Sequence, residues 1–237
     1  MHNFWGELKD NKVFLDQEEI PHAIKSLRLE LGDLVRVFDG SGNTYTGSID
    51  TLSRKSIRIS DFTIDSDLGL VNGHLHMAMS PTKNIDRWNF FLEKAVEIGV
   101  HEITPVLSHR SERRFLNHDR SLRIIRSACL QSQKSSIPKL NESIGFKEFI
   151  DTFKLNFMTI ATCHDSDKID LNEVIRIRKS DEVLIAIGPE GDFTDEELQY
   201  ALLKGYIHIG LGVHRLRTET AGIYAVSAFA QRDRIDA

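Results

Sequence analysis

Two apolar, unbroken, β-branched stretches constrain this chain most: FMTIAT at 157–162 and EVLIAI at 182–187. Runs of that kind read as strands buried on both faces, which is the habit of parallel sheets. A helix near 170–179 separates them, as a parallel crossover requires. The pattern extends from residue 73 onward. HLHMAM (74–79) is stopped by Ser80-Pro81, and a helix follows with Trp88, Phe91, Leu92, Ala95 and Ile98 on one face and Gly99 closing it. EITPVL (102–107) is a strand, 119–134 a helix ending before Pro138, and 146–154 a further helix. After Gly191, Thr194 and Glu197 form a capping box, with Asp195 and Glu196 adding negative charge to the first turn. Leu198, Ala201 and Leu202 supply that helix's stripe, Gly205 ends it, YIHIG (206–210) is the next strand, and a last helix begins near Glu219. Strands alternating with helices predict an α/β domain with a parallel sheet and right-handed crossovers.

Residues 1–70 have a different texture, with short strands, the turn SGN at 41–43, and a short helical piece near 19–28. The expected division falls at 70–73, giving a β-rich domain over 1–70 and an α/β domain over 73–237. At 237 residues and 41% hydrophobic content both can build a core. No apolar run is long enough to span a bilayer, and the first residues lack the apolar centre of a signal peptide. Two distant cysteines, Cys129 and Cys163, suit a reducing cytoplasm and argue against a thiolate metal site. His74 and His76 share a strand face without a third ligand at recognisable spacing, so no metal is expected.

A net charge of −5 argues against nucleic acid only on average. Residues 110–126 hold Arg110, Arg113, Arg114, Arg120, Arg123 and Arg126 against Glu112 and Asp119, whereas 181–197 holds seven acids and no base. The arginines are either a solvated helix face or an RNA contact. Two loops carry the candidate chemistry. IGPEGDF (187–193) lies between a buried strand and a capped helix, where open α/β sheets bind ligands. It has neither a P-loop nor a GxGxxG, and its acids disfavour a polyphosphate while suiting a cationic or zwitterionic ligand such as S-adenosylmethionine. The alternative is a plain strand-to-helix turn. GLGVHRLRTETAG (210–222) again places glycines between strand and helix, and there Arg217 and Glu219 either serve a site or pair with each other.

IGPEGDFTDEEL (187–198) and LGVHRLRTETAGIYAVSAF (211–229) closely resemble the paired signatures of the 16S ribosomal RNA uridine N3-methyltransferases, a family of the SPOUT class of trefoil-knotted methyltransferases. KAVEIGVHEITPVLSHRSER (94–113), HAIKSLRLELGD (22–33) and VFDGSG (37–42) extend the likeness over nearly the whole chain. The resemblance implies a small PUA-like β-barrel that helps hold RNA, followed by an α/β domain threaded through itself near the cofactor. It also implies a homodimer, for which Ala221, Tyr224, Ala225 and Ala228 of the last helix are the candidate contact. Carried over residue by residue, Gly188, Pro189, Glu190 and Gly191 match the first cofactor loop. Leu211, Gly212, Leu216 and Arg217 match the second, with Ile209 before it and Glu219 and Thr220 at the helix start. Thr104, Pro105 and Leu107 match a third cofactor segment. The chain departs from the family at Leu130-Gln131-Ser132-Gln133-Lys134, where an acid is lost and an arginine has become lysine. Lysine does not reproduce arginine's bidentate grip on phosphate.

The resemblance therefore implies methyl transfer from S-adenosylmethionine to a uridine N3 of 16S RNA or the small ribosomal subunit, in the cytoplasm, without metal. Arg217 would favour the uracil anion, with Glu219 the nearest base in sequence. Arg28, Arg110, Arg113, Arg114 and Lys134 are the expected phosphate contacts. Two competitors stand beside this reading: ribose 2′-O methylation by another SPOUT enzyme, and a non-catalytic RNA-binding factor.

Overall fold

The computed structural model describes residues 1–66, 71–164, 167–177 and 182–231; residues 178–179 of the expected 170–179 helix, Leu70 of the expected boundary and Asp181 lie outside them. The chain divides into two compact units, Met1–Leu70 with Arg126–Ile137, and Val71–Ile125 with Pro138–Ala237.

The first unit is a closed barrel of β1 (His2–Lys9), β2 (Lys12–Leu15), β3 (Leu34–Phe38), β4 (Asn43–Leu52) and β5 (Ile57–Ser66), in the order β1-β2-β5-β4-β3. Asp10 and Asn11 join β1 to β2 with φ of 48° and 57°, the positive pair a two-residue hairpin demands. Parallel pairing of β1 with β3 closes the barrel and removes its edges. Gly47 lets β4 bend over β5, since a Cβ there would stand 2.6 Å from the Ser60 carbonyl oxygen. Phe4, Val13, Val35, Val37, Ile49, Ile57 and Ile59 fill the interior. The helical piece expected near 19–28 is a single π-turn, His22–Ser26, which drops Ala23 into that core.

This unit also takes in Arg126–Ile137, which the expected division at 70–73 assigns to the second domain. Arg126 pairs with Asp16 at 2.7 Å and lies over the Trp5 ring. Asn3 donates to the Leu130 carbonyl, Arg36 to the Gln133 side chain and the Gly42 N–H to the Ser135 carbonyl.

The second unit carries, in chain order, β6 (His74–Met79), α1 (Ile85–Ile98), β7 (Glu102–Leu107), α2 (His118–Ser132), β8 (Lys139–Leu140), β9 (Ile144–Gly145) and α3 (Phe146–Thr152). There follow β10 (Phe157–Ala161), β11 (Ile169–Asp170), α4 (Leu171–Ile177), β12 (Glu182–Ile187), α5 (Asp195–Leu203), β13 (Ile207–Gly210) and α6 (Thr218–Gln231). The last turns of α2 belong to the first unit. The sheet runs β11-β13-β10-β12-β6-β7-β8, with β9 on β7, and every pair is parallel. The expected α/β class is therefore observed, and β10 and β12 are buried as their composition requires. The capping box is present: Thr194 Oγ1 accepts from the Glu197 N–H, and Glu197 Oε2 accepts from the Thr194 N–H.

α6 lies against α1 and β6. Gly222 permits that approach, because a Cβ there would meet the Phe91 ring at 2.7 Å and the Met79 sulfur at 2.9 Å. Of the apolar stripe expected to face a partner, Ala221 and Ala225 are consumed inside the subunit, whereas Tyr224 and Ala228 stay half-exposed. Among the described residues no helix is long and apolar enough to cross a membrane.

Candidate functional site

A cavity of about 620 Å³ opens at the carboxyl ends of three adjacent strands, β10, β12 and β13. Residues 161–163, 187–190 and 210–218 form its walls, with Lys168, Asp192 and Ala221. Parallel strands place all their carboxyl ends on one side, so the loops that follow them converge there.

Asp192 is the fastening of this site. Its Oδ2 accepts the Cys163 N–H at 2.7 Å and the Thr162 hydroxyl at 3.1 Å, and its Oδ1 accepts the Phe193 N–H at 2.7 Å. One carboxylate thus ties the loop after β10 to the loop after β12. It does so from φ 61°, a backbone state that aspartate and asparagine tolerate better than other residues. Glu190 is also engaged, with Oε1 accepting the Lys83 N–H at 3.0 Å. The cavity's two carboxylates therefore also serve as acceptors for its own frame.

The third wall is built differently. Gly210 and Gly212 line the cavity, and a methyl group on either would meet nothing within 4 Å. Gly212 sits at φ 93°, where a side chain would be strained. Bare backbone and free space are what a flat, polar ligand edge needs for close approach. No lysine stands in a glycine loop to take a phosphate, and no cluster of metal-ligating side chains occurs among the described residues. The lining is of mixed charge, with Glu190 and Asp192 beside Lys168, Arg215 and Arg217, and so suits S-adenosylmethionine, which carries a sulfonium, an ammonium and a carboxylate.

Of the expected cofactor residues, Gly188, Pro189, Glu190, Leu211, Gly212, Leu216 and Arg217 line the cavity. Ile209 is fully buried beneath it. Gly191 instead seats the Arg110 side chain, which lies 3.3 Å from where its Cβ would be, and Thr220 is exposed on the first turn of α6. Thr104, Pro105 and Leu107 do not line it, because β6 intervenes between β12 and their strand β7. Thr104 belongs to another network: its hydroxyl meets His76 Nε2 at 2.7 Å and accepts from Asn141, which also donates to Glu102. Burial drives His76 down to about 4. Burial pushes Glu102 up, but Asn141, His76 and Lys139 outweigh it and hold its carboxyl below the usual range.

Val213, His214 and Arg215 of the expected second loop also line the cavity, and outside both expected loops so do Thr162, Cys163 and Lys168. The rule that placed the loops after 187 and 210 places the loop after FMTIAT beside them.

The two expected catalytic residues are parted. Arg217 lines the cavity and is exposed, but Glu219 is 8% exposed and turns away, its Oε1 3.7 Å from Arg87 Nε on α1. Glu219 Oε2 has no hydrogen-bond partner among the described residues. The Arg217–Glu219 pairing weighed from the sequence does not form.

The arginine stretch begins as a loop, not a helix. Arg110 Nη1 donates to the Gly191 and Phe193 carbonyls, Arg113 to those of Thr82 and Lys83, and Arg114 to that of His109. Each guanidinium keeps further N–H groups for other acceptors. Arg28 is exposed on the barrel at φ 53°. Lys134 departs from expectation: it is 8% exposed, and burial lowers its pKa, so its ammonium is not offered to a phosphate on the surface.

A closed β-barrel unit, together with a parallel α/β unit that has a ligand cavity at its strand ends, defines a two-part protein whose α/β unit is built to bind a small molecule. The RNA methyltransferase domain family matches residues 71–230, and the RNA methyltransferase PUA domain family matches residues 15–62. The chain belongs to the RNA methyltransferase domain family. It is similar to the ribosomal RNA small subunit methyltransferase E of Buchnera aphidicola, at 27% identity over 91% of this chain and 86% of that protein. Among solved structures it resembles a probable rRNA-methyltransferase from Porphyromonas gingivalis, with 34% identity, full coverage of both chains and a TM-score of 0.90. It also resembles a ribosomal RNA small subunit methyltransferase E from Neisseria gonorrhoeae bound to S-adenosyl methionine, with 28% identity over 96% of each chain and a TM-score of 0.83. The family and barrel expected from the sequence are thus found.

Proposed function

We propose that the chain transfers a methyl group from S-adenosylmethionine to the N3 atom of a uridine in the 16S RNA of the small ribosomal subunit. In this reading it works as a cytoplasmic homodimer, with a PUA-like domain over 1–70, a methyltransferase domain over 73–237 and the path of the latter threaded at the cavity. The observation that carries it is the cavity at the ends of β10, β12 and β13, in a chain of this family, walled by bare glycine backbone and side chains of both charges. The names of the relatives and the cofactor bound to the Neisseria protein support the substrate and the donor.

When bound, S-adenosylmethionine supplies an electrophilic methyl on a sulfonium. Gly188, Gly210 and Gly212 give the ligand backbone to lie against, and Asp192 keeps the opposing loops together. The uracil N3 carries a proton that must leave, here to solvent water, and the Arg217 guanidinium favours the resulting anion, whose charge spreads onto the carbonyl oxygens. Glu219, facing Arg87, contributes by holding the start of α6 and with it Arg217. Arg28, Arg110, Arg113 and Arg114 contact phosphate.

Nucleoside mass spectrometry of small-subunit RNA from a strain lacking this protein tests the proposal. N3-methyluridine should vanish and return with the gene. Loss of a 2′-O-methyl nucleoside with N3-methyluridine intact would reassign the methylated atom. Absence of S-adenosylmethionine uptake in calorimetry would reduce the chain to an RNA-binding factor.

A further inference from the structure

We propose that Phe115 is a stacking face for an unpaired base of the RNA substrate. The inference rests on the methyltransferase reading above and concerns how that substrate is gripped. Phe115 is 77% exposed, the most exposed aromatic among the large hydrophobic side chains described. Arg113 and Arg114 precede it, and Arg120 and Arg123 follow on the first turns of α2.

A slack loop does not explain its exposure, because the loop is pinned at both ends. The Ser108 N–H and hydroxyl both bond the buried Ser111 hydroxyl, and the His109 N–H donates to Glu197. Arg110 and Arg113 are tied to four backbone carbonyls. On the far side Asn117 Oδ1 accepts the Arg120 N–H and caps α2. Two of the anchoring carbonyls, Gly191 and Phe193, belong to the loop that also supplies Pro189, Glu190 and Asp192 to the cavity wall. The aromatic ring is therefore held outward on the segment braced against the cofactor loop.

An outward ring among arginines is the chemistry of single-strand recognition: every base offers a π-face, and the guanidinium groups answer the phosphates. The proposed reaction requires such a strand, since N3 lies on the pairing edge and is reached only in an unpaired base. A second copy of the chain fits less well, because a two-fold contact would bring the same arginines against one another.

Fluorescence anisotropy with a labelled single-stranded oligouridylate and with an RNA duplex of equal length decides the matter. Phe115→Ala should weaken single-strand binding about ten-fold or more and leave duplex binding unchanged. Phe115→Trp should retain it, and Phe115→Leu should behave like Phe115→Ala. Unchanged single-strand affinity in Phe115→Ala, or full affinity in Phe115→Leu, overturns the proposal. So does loss of self-association by Phe115→Ala in sedimentation, which would assign the ring to a second copy. Calorimetry with S-adenosylmethionine separates the two readings: wild-type protein that takes up none while Phe115→Ala still loses the single strand refutes the methyltransferase reading and keeps the stacking face.

Discussion

Asp192, at the end of the loop after β12, accepts the backbone N–H of Cys163, in the loop after β10, at 2.7 Å. Two walls of the cavity are thereby set by one side chain. Asp192→Ala should lower S-adenosylmethionine affinity by about ten-fold, from the loss of charge-assisted hydrogen bonds of roughly 1.5–3 kcal/mol each that are partly replaced by water. Asp192→Asn keeps one acceptor and tolerates φ 61°, so it should fall between the two. Calorimetric titration checks the order; equal affinities would mean the walls hold without this carboxylate.

Arg217 is placed to act on the reacting base. Arg217→Ala should reduce kcat by about 10²–10³, the usual effect of removing one donor from a developing anion. Cofactor affinity should change less than turnover. Single-turnover methylation alongside calorimetry measures both, and a loss confined to cofactor binding would remove Arg217 from the chemistry.

Gly222 marks where α6 meets α1 and β6. Gly222→Ala must displace the Phe91 ring and Met79 sulfur, and overpacking of this kind costs about 1–3 kcal/mol. Urea unfolding should show a lower midpoint with an unchanged slope. Gly210→Ala, which meets no atom within 4 Å, should leave stability almost unaltered and weaken the cofactor instead.

His76 sets an acid limit on stability. It is 1% exposed, and burial lowers its pKa from 6.5 to about 4. The groups around it are His74, Glu102 and Lys139. Between those values the unfolded chain binds a proton that the folded chain refuses. Stability should therefore be full above about pH 6.5 and decline as pH falls toward 4, by up to about 3 kcal/mol from this group. Glu102, held below its ordinary value, acts in the same direction at the lower end of that range. His76→Gln should flatten the acid limb of chemical denaturation curves; an unchanged limb would place the sensitivity elsewhere.

The sequence made β10 and β12 legible because strands buried on both faces have no polar alternation to hide them. The Thr194–Glu197 box was legible because capping is local chemistry. Strand order was not, since nothing in one segment states which neighbour it takes. That is why Thr104, Pro105 and Leu107 were placed in a site that lies beyond β6, and why Thr162 and Cys163 were passed over. Glu219 was read beside Arg217 because they are two residues apart. Arg217 instead stands just before α6 and Glu219 on its first turn, where Arg87 on α1 takes the carboxylate. Helical periodicity over 119–134 showed α2 but not that its last turns, with Lys134, belong to the barrel.

Arg126–Ile137 supplies Asp16, Asn3, Arg36 and Gly42 with their partners. The barrel strands leave the ribosome first, yet these bonds wait until β6, α1 and β7 have also been synthesised. The amino-terminal module therefore cannot reach its final form on its own stretch of chain, and its completion depends on residues made after β7.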